Sequence, residues 1–325
     1  MVLKVALVEM NKWKFLSLTV AALLMPAGMQ AARAADTINM TNATDMTTGT
    51  SAVSGTSAGT PEDARPVEDA RKHTLEVKAN AALPTIYLEG DSTVRVGTPG
   101  ERGWGDELAT FFDTTKVNIV NHAIGGRSSR TFQTEGRWKA SLAMVKAGDY
   151  VIFQFGHNDA GPVNDNSRAR GTLRGVGEET QEIDNMLTKQ HEVVHTYGWY
   201  MRQYARDTKA KGATAIICSP IPHKTWVNGK VARVAPTYGG WAREVAKEEG
   251  VMFVDLNEII AEGYEKIGPA AVEPLFGDPH THTSVAGAQF NARCVVAGLR
   301  GLPGAPLDGY LSAAGRGVEA FSGGQ

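Results

Sequence analysis

The stretch Thr85-Ile-Tyr-Leu-Glu-Gly-Asp-Ser-Thr93 decides how the chain folds. Residues 85–88 form a short apolar run that begins with β-branched side chains, which is typical of a buried strand. Gly90-Asp91-Ser92-Thr93 follows directly, and glycine, aspartate and serine are typical of a tight turn into a helix. The stretch therefore predicts a strand with Ser92 in the turn at its carboxyl end.

Four further apolar runs alternate with longer amphipathic segments. Such alternation favours right-handed crossovers and a parallel sheet covered by helices on both faces. Sites in these sheets collect at the carboxyl ends of the strands. The predicted strands are residues 85–88, 117–120, 150–155, 213–217 and 251–255, and the predicted helices include 103–112, 134–146, 196–211 and 237–248.

Length and charge narrow the class of protein. A chain of 325 residues with 42% hydrophobic content can bury one large core, and we expect one domain, over residues 78–302. The segment 303–325, which contains Gly, Pro and Ala, is predicted to be a loosely packed C-terminal tail. Because 33 Lys and Arg face 35 Asp and Glu, no strong positive field exists and nucleic acid is not an expected partner.

The N-terminal segment has the order of a secretory signal. Met10-Asn-Lys-Trp-Lys is basic, residues 15–25 are apolar, and Gln30-Ala-Ala-Arg-Ala-Ala offers small residues for cleavage. The apolar run is shorter than the about 20 residues of a membrane span. We therefore predict an N-terminal extension and signal peptide over 1–35, starting at Met1 or Met10, and a secreted or periplasmic protein without a membrane anchor. A surface-docking amphipathic helix is the alternative.

Residues 36–77 are predicted to be a low-complexity linker, because the Thr, Ser, Gly and Ala that dominate its first part bury too little surface to offset the entropy of ordering. The two cysteines, Cys218 and Cys294, both lie in apolar runs. Buried free thiols are favoured over a disulfide. No Cys/His spacing indicates zinc, so no metal is expected.

Three strand ends carry candidate catalytic groups. Ser92 is a nucleophile if a base removes its proton, and a helix N-cap otherwise. The glycines in Gly125-Gly126 can present a backbone N–H to an oxyanion, although an isolated Gly-Gly is usually a plain loop. Asn158 can add a side-chain donor, with an Asx turn as its structural alternative.

The candidate base lies in residues 276–288. Asp278 and His282 are four residues apart, so on a helical turn they share a face, and Asp278 can fix the tautomer of His282 while the other nitrogen faces Ser92. His280 points elsewhere on such a turn. A metal site of Asp278, His280 and His282 and a surface capping segment remain the alternatives.

The joint order Ser, Gly, Asn, Asp, His resembles the SGNH, or GDSL-type, hydrolases and, more narrowly, the rhamnogalacturonan acetylesterases. The resemblance covers about residues 84–302. It is carried by Tyr87-Leu-Glu-Gly-Asp-Ser-Thr, Gly103-Trp-Gly, Ala123-Ile-Gly-Gly-Arg-Ser-Ser-Arg, Glu135-Gly-Arg, Gly148-Asp-Tyr-Val-Ile, Phe155-Gly-His-Asn-Asp and His282-Thr-Ser-Val-Ala-Gly-Ala.

The resemblance implies a flavodoxin-like three-layer α/β/α sandwich with a central parallel five-stranded sheet, and hydrolysis of acetyl esters on a pectic polysaccharide without a cofactor. It places the nucleophile on Ser92, the base on His282 and its orienting carboxylate on Asp278. The oxyanion donors are the backbone N–H groups of Ser92 and Gly126 and the side chain of Asn158. The family pattern has Asp three residues before His, whereas Asp278 lies four before His282.

Other assignments concern the substrate, an acetylated polysaccharide or oligosaccharide. Arg127 and Arg130 are candidates for a galacturonate carboxylate, with solvated side chains as the alternative. His223 and Trp226 are candidates for a sugar subsite, although packing is favoured for Trp226. The long polar connection 161–189 is expected to border the cleft.

Three rival functions remain at this point: an esterase of the same fold for acetylated xylan, one for lipid or thioester acyl groups, and a non-catalytic polysaccharide-binding protein. The oligomeric state is not indicated by the sequence.

Overall fold

Five parallel strands form the central sheet of the computed structural model, which describes residues 79–234 and 237–323. The sheet order is β2-β1-β3-β6-β9, and two short antiparallel hairpins, β4-β5 and β7-β8, lie outside it. The strands are β1 (Thr85–Gly90), β2 (Asn118–Asn121), β3 (Tyr150–Gln154), β4 (Thr180–Asp184), β5 (His191–His195), β6 (Thr214–Cys218), β7 (Trp226–Val227), β8 (Lys230–Val231) and β9 (Met252–Val254).

Helices cover both faces of the sheet. They are α1 (Trp104–Glu107), α2 (Ser129–Thr134), α3 (Arg137–Met144), α4 (Tyr197–Ala210), α5 (Tyr238–Glu249), α6 (Leu256–Ile267), α7 (Pro269–Val272), α8 (Val285–Arg300) and α9 (Ala313–Arg316). Short 3₁₀ turns occupy Leu108–Phe111, Glu273–Leu275 and Asp308–Tyr310. The predicted three-layer α/β/α sandwich is confirmed.

Two hydrophobic clusters hold the layers together. Ile86 and Leu88 of β1 pack with α1, α6 and α8, whereas Tyr87 packs with α2 to α5 on the opposite face. Successive side chains of a strand point to opposite faces, and both faces are apolar here because both are covered. The near-continuous apolar runs of the sequence are explained by this double burial.

The strand order reverses at β1. β1 pairs with β2 on one side and with β3 on the other, and both pairings are parallel. In open α/β sheets a crevice forms outside the carboxyl ends of the strands at such a reversal. The turn that contains Ser92 leaves the sheet at this point.

The long connection between β3 and α4 contains the hairpin β4-β5, which the sequence pattern did not predict. Its pairing runs from Thr180 with His195 to Asp184 with His191. The polar, charged sequence of β4 has four exposed residues of five, so the hairpin lacks the apolar signal of a core strand.

The prediction that residues 303–325 form a loosely packed tail is wrong for the part up to residue 318. Leu307, Leu311 and Val318 are buried in the same cluster as Leu88, and Leu311 forms a β-bridge with Phe112. The folded domain therefore continues past residue 302 to at least residue 318. Apolar residues spaced among Gly and Pro give no periodic signal, which is why the sequence concealed this packing.

The predicted signal peptide (1–35) and linker (36–77) lie outside the described residues. Within the described part of the chain, every helix is too short or too polar to cross a bilayer. Both cysteines are free thiols, as predicted, and Cys218 is buried, whereas Cys294 is half-buried and not fully buried as expected.

Candidate active site

Ser92 lies in a tight turn directly after β1. The turn is closed by the Asp91 carboxylate, which accepts hydrogen bonds from the backbone N–H (2.9 Å) and hydroxyl (2.7 Å) of Thr93. A Cβ on Gly90 would come within 2.7 Å of the Gln154 carbonyl, so glycine is needed where β1 and β3 meet. No helix begins at Ser92, and the N-cap alternative is therefore not realised.

Ser92, His282 and Asp278 form a continuous hydrogen-bonded chain. His282 Nε2 lies 2.8 Å from Ser92 Oγ, and His282 Nδ1 lies 2.6 Å from Asp278 Oδ2. Ser92 and His282 are both buried, and Asp278 is half-buried. Each imidazole nitrogen has its own partner, which is what a serine, histidine and carboxylate relay requires.

Asp278 reaches His282 through a turn and not along a helix, because α8 begins only at Val285. Asp278 Oδ1 accepts hydrogen bonds from the backbone N–H groups of His280 (2.9 Å), Thr281 (2.6 Å) and His282 (3.0 Å). Burial by itself would raise the pKa of Asp278, but these backbone bonds and the His282 ring outweigh it and lower the pKa. The fourth-residue spacing is thus compatible with an ionised carboxylate facing Nδ1.

Gly126 and Asn158 follow the two strands that flank β1. Gly126 has a φ of 77°, a conformation that favours glycine. Asn158 Nδ2 donates to the Arg127 carbonyl at 3.0 Å, and an amide NH₂ carries a second N–H. The Gly126 carbonyl in turn accepts from Arg170 Nη1 at 3.0 Å. The loop after β2 is therefore fixed from two sides by residues that follow β3.

Arg170 was not identified from the sequence, although it lies in the connection 161–189 that was expected to border the cleft. The contact with Gly126 shows that this connection does reach the loop after β2.

The two candidate substrate arginines have protein partners. Arg130 is fully buried, and its guanidinium binds both carboxylate oxygens of Glu192 at 2.7 Å each. Arg127 binds the carboxylate of Glu135 (3.1 Å) and the Gly125 carbonyl (2.7 Å). These contacts are structural, and they correct the expectation that Arg127 and Arg130 meet a substrate carboxylate. The acidic partners lie up to 62 residues away, beyond what local sequence reveals.

His223 and Trp226 have different surroundings in the structure. The His223 ring stacks on His280, with centroids 5.1 Å apart and planes 4° apart. Burial, together with the neighbouring rings of His157 and His280, lowers the pKa of His223 to about 3, so the ring is neutral. Trp226 packs against the hydrophobic core at the start of β7, as favoured for it.

A buried ion pair lies beside the serine turn. His157 Nδ1 is 3.0 Å from Asp91 Oδ2, and its Nε2 is 3.1 Å from the Ile221 carbonyl. Burial alone would lower the pKa of His157, but the charge and hydrogen bond of Asp91 raise it overall. Burial alone would raise the pKa of Asp91, yet His157 and Thr93 lower it. Asp91 and His157 belong to two separate sequence motifs, 66 residues apart, and nothing in either motif indicates that they pair.

Among the described residues, one group of three side chains has the spacing of a metal site: Glu101, Asp278 and His282, whose nearest ligand atoms lie within 4.8 Å of one another. His280, which belonged to the metal alternative, is not part of it. Because a metal ion on His282 Nδ1 would displace the 2.6 Å bond to Asp278, the group is better described as two carboxylates around one imidazole.

Comparison with known proteins identifies the family. Residues 89–290 match the GDSL-like lipase/acylhydrolase family. The chain is 38% identical over 215 residues to the rhamnogalacturonan acetylesterase of Emericella nidulans, covering 66% of this chain and 84% of that protein. It is 31% identical to the probable rhamnogalacturonan acetylesterase YesY of Bacillus subtilis, covering 68% of this chain and 94% of that protein.

Among solved structures, protein YxiM of Bacillus subtilis aligns with a TM-score of 0.54 and 29% identity, over 67% of this chain and 56% of that one. This chain thus spans little more than half of that structure. The chain belongs to the GDSL-like lipase/acylhydrolase family and is a carboxylic ester hydrolase.

Proposed function

We propose that the protein is a serine acetylesterase that removes acetyl groups from a plant cell-wall polysaccharide, namely rhamnogalacturonan in pectin. The observation that carries the proposal is the chain of hydrogen bonds from Ser92 through both nitrogens of His282 to Asp278. It favours a catalyst over a non-catalytic polysaccharide-binding protein of the same fold, which would have no use for this relay.

The reaction follows as acyl transfer in two steps. His282 Nε2 takes the proton of Ser92 Oγ while the oxygen attacks the acetyl carbonyl. The tetrahedral intermediate collapses, His282 returns the proton to the leaving sugar oxygen, and an acetyl-serine remains. Water, deprotonated by His282, then attacks the acetyl-serine, and the protonated His282 returns this proton to Ser92 Oγ as the ester bond breaks and acetate leaves. Asp278 stabilises the imidazolium that forms in each step.

The negative oxygen of each intermediate needs donors. The backbone N–H groups of Ser92 and Gly126 and the second N–H of Asn158 Nδ2 are assigned to this role. One such donor contributes about 3 to 4 kcal/mol to lowering the barrier in serine hydrolases.

The substrate assignment rests on the relatives. Two of them, at 38% and 31% identity, are named as a rhamnogalacturonan acetylesterase and a probable one. Ser92, His282 and Asp278 supply the nucleophile, the base and the carboxylate, so the proposed ester hydrolysis needs no cofactor. Export to the periplasm or the medium remains a prediction from the N-terminal sequence.

The test is acetate release from acetylated rhamnogalacturonan, homogalacturonan and xylan at equal acetyl concentration, with wild type, Ser92→Ala and His280→Ala. We expect release to be fastest from rhamnogalacturonan, absent in Ser92→Ala, and largely retained in His280→Ala. Faster release from xylan would support the xylan alternative. An active Ser92→Ala variant with native circular dichroism would contradict the mechanism.

A further inference from the structure

A second carboxylate lies beside the Nδ1 edge of His282. Glu101 Oε2 is 3.5 Å from His282 Nδ1, on which Asp278 Oδ2 already bonds at 2.6 Å. The Glu101 side chain is only 11% exposed. A separation of 3.5 Å is long for a hydrogen bond, so Glu101 acts on the ring in this state through its charge, which burial leaves weakly screened.

The position of Glu101 is fixed by the surrounding backbone. Its neighbour Arg102 donates its N–H to the Thr283 carbonyl at 2.7 Å, and the Thr283 hydroxyl donates to the Arg102 carbonyl at 2.7 Å. A Cβ on Gly277 would lie 3.0 Å from Glu101 Cγ, so a glycine there lets the two segments approach. The segment that carries Glu101 is thus bound to the loop that carries His282.

The same segment is also bound to the serine turn. Trp104 donates its N–H to the Thr93 carbonyl at 3.1 Å, and Gly105 donates to Val94 at 3.0 Å. The segment that carries Glu101 is therefore hydrogen-bonded both to the turn with Ser92 and to the loop with His282. These bonds fix the position of Glu101 relative to both residues.

We infer that Glu101 is a second positioning carboxylate for His282. This inference rests on the proposed function. When Ser92 gives up its proton the imidazole becomes positive, and two carboxylates stabilise that charge where one does in the simple triad. Because this charge develops as Ser92 is deprotonated, the stabilisation is greater in the transition state and raises kcat without changing KM. Without Asp278, Glu101 is the remaining carboxylate that can accept a hydrogen bond from Nδ1–H.

The test is a double-mutant cycle on 4-nitrophenyl acetate with Glu101→Gln, Asp278→Ala and the double variant. Loss of a lone triad aspartate costs on the order of 10⁴-fold in kcat. We expect Asp278→Ala to cost only about 10²-fold while Glu101 is present, and the double variant to show the full loss of about 10⁴-fold. Glu101→Gln alone should lower kcat about tenfold with KM unchanged.

The matched control is Glu107→Gln. Glu107 lies on the same segment, its side chain is 12% exposed, and it binds Arg102 at 2.7 Å. The Glu107→Gln variant removes one carboxylate charge from this segment but leaves the contact between Glu101 and His282 in place. It should therefore leave kcat unchanged. Glu101→Asp, which keeps the charge at shorter reach, should recover most of the kcat that Glu101→Gln loses.

Three results would overturn the inference: equal losses from Glu101→Gln in both backgrounds, a loss confined to KM, or a Glu101→Asp variant as slow as Glu101→Gln. If Asp278→Ala does not fold, the comparison of Glu101→Gln, Glu101→Asp and Glu107→Gln decides the matter alone. An inactive wild-type protein would instead contradict the proposed function.

Discussion

Within residues 79–234 and 237–323, two clusters of serine, histidine and carboxylate differ in how their atoms connect. In the candidate active site, His282 bonds Ser92 through Nε2 and Asp278 through Nδ1. The second cluster consists of Glu89 on β1, His122 directly after β2, and Ser141 on α3. There His122 Nδ1 contacts both Ser141 Oγ (2.8 Å) and Glu89 Oε1 (3.2 Å), and Ser141 bonds Glu89 directly.

The difference shows that residue types alone do not make a relay. His122 Nε2 is buried and has no hydrogen-bond partner among the described residues, so a proton taken up by the ring has no second group to support it. Glu89 and Ser141 are fully buried, whereas the Ser92 turn lies at the carboxyl edge of the sheet. The second cluster is a structural polar network, and the following experiments test that distinction.

The largest effect separates the two histidines. His282→Ala should reduce kcat on the order of 10⁵- to 10⁶-fold, because it removes the general base. His122→Ala should keep kcat per folded molecule within a few-fold but destabilise the protein by about 3 kcal/mol, through a cavity and unpaired polar groups. Ester hydrolysis and urea unfolding measure the two quantities. A comparable loss of kcat in both variants would remove the distinction.

Asn158→Ala tests whether Asn158 is a hydrogen-bond donor to the oxyanion in the candidate active site. We expect kcat to fall by about 10²- to 10³-fold with little change in KM, because the donor acts on charge that develops in the transition state. Asn158 also bonds the Arg127 carbonyl, so thermal unfolding must be measured beside the kinetics. A loss seen only in KM would place Asn158 in substrate binding and not in the oxyanion hole.

Ser141→Ala tests the buried cluster itself. Because it leaves Glu89 and His122 without their shared partner, we expect a loss of about 2 kcal/mol in the free energy of unfolding and an unchanged kcat. Equilibrium urea unfolding gives the first quantity. A stable variant with reduced kcat would mean that the cluster contributes to the reaction.

The smallest effect is a pH dependence of stability. The pKa of His157 is raised above 6.5, so its contribution is complete below pH 6.5 and is lost as pH rises through the folded pKa. The pKa of Asp91 is lowered from 3.8, so its contribution is present above that pH and is lost only in stronger acid. His157→Gln should therefore be less stable than wild type near pH 6, with the difference shrinking at higher pH. A pH-independent difference in urea unfolding would contradict this account.

The sheet and the core of the candidate site follow from the sequence for one physical reason. Buried parallel strands are apolar on both faces, so their positions are visible, and their carboxyl ends meet at one edge. Ser92, Gly126 and Asn158 each follow one of three adjacent strands, β1, β2 and β3, at the same edge. All five predicted strands overlap observed ones, and their alternation with helices predicted the parallel sheet, whereas the strand order comes from the structure.

What the sequence could not show depends on distant pairing. Arg130 looks solvated until Glu192, 62 residues later, is placed against it. Glu101 is the lone acidic residue between Ser92 and Gly105, a weak signal, and its relation to His282 exists only after the two segments are bound together. The sequence also contains both sets of serine, histidine and carboxylate, and only the atomic contacts distinguish them.

The bond between His282 and Ser92 joins residues 190 positions apart. Because closing long loops is slow, a contact of this separation is expected late in folding. A ribosome must also have released the strands, helices and turn up to residue 282 before the nucleophile meets its base. Recovery of ester hydrolysis during refolding should therefore lag behind the recovery of helical circular dichroism. The rate at which activity returns then reports the last step of folding.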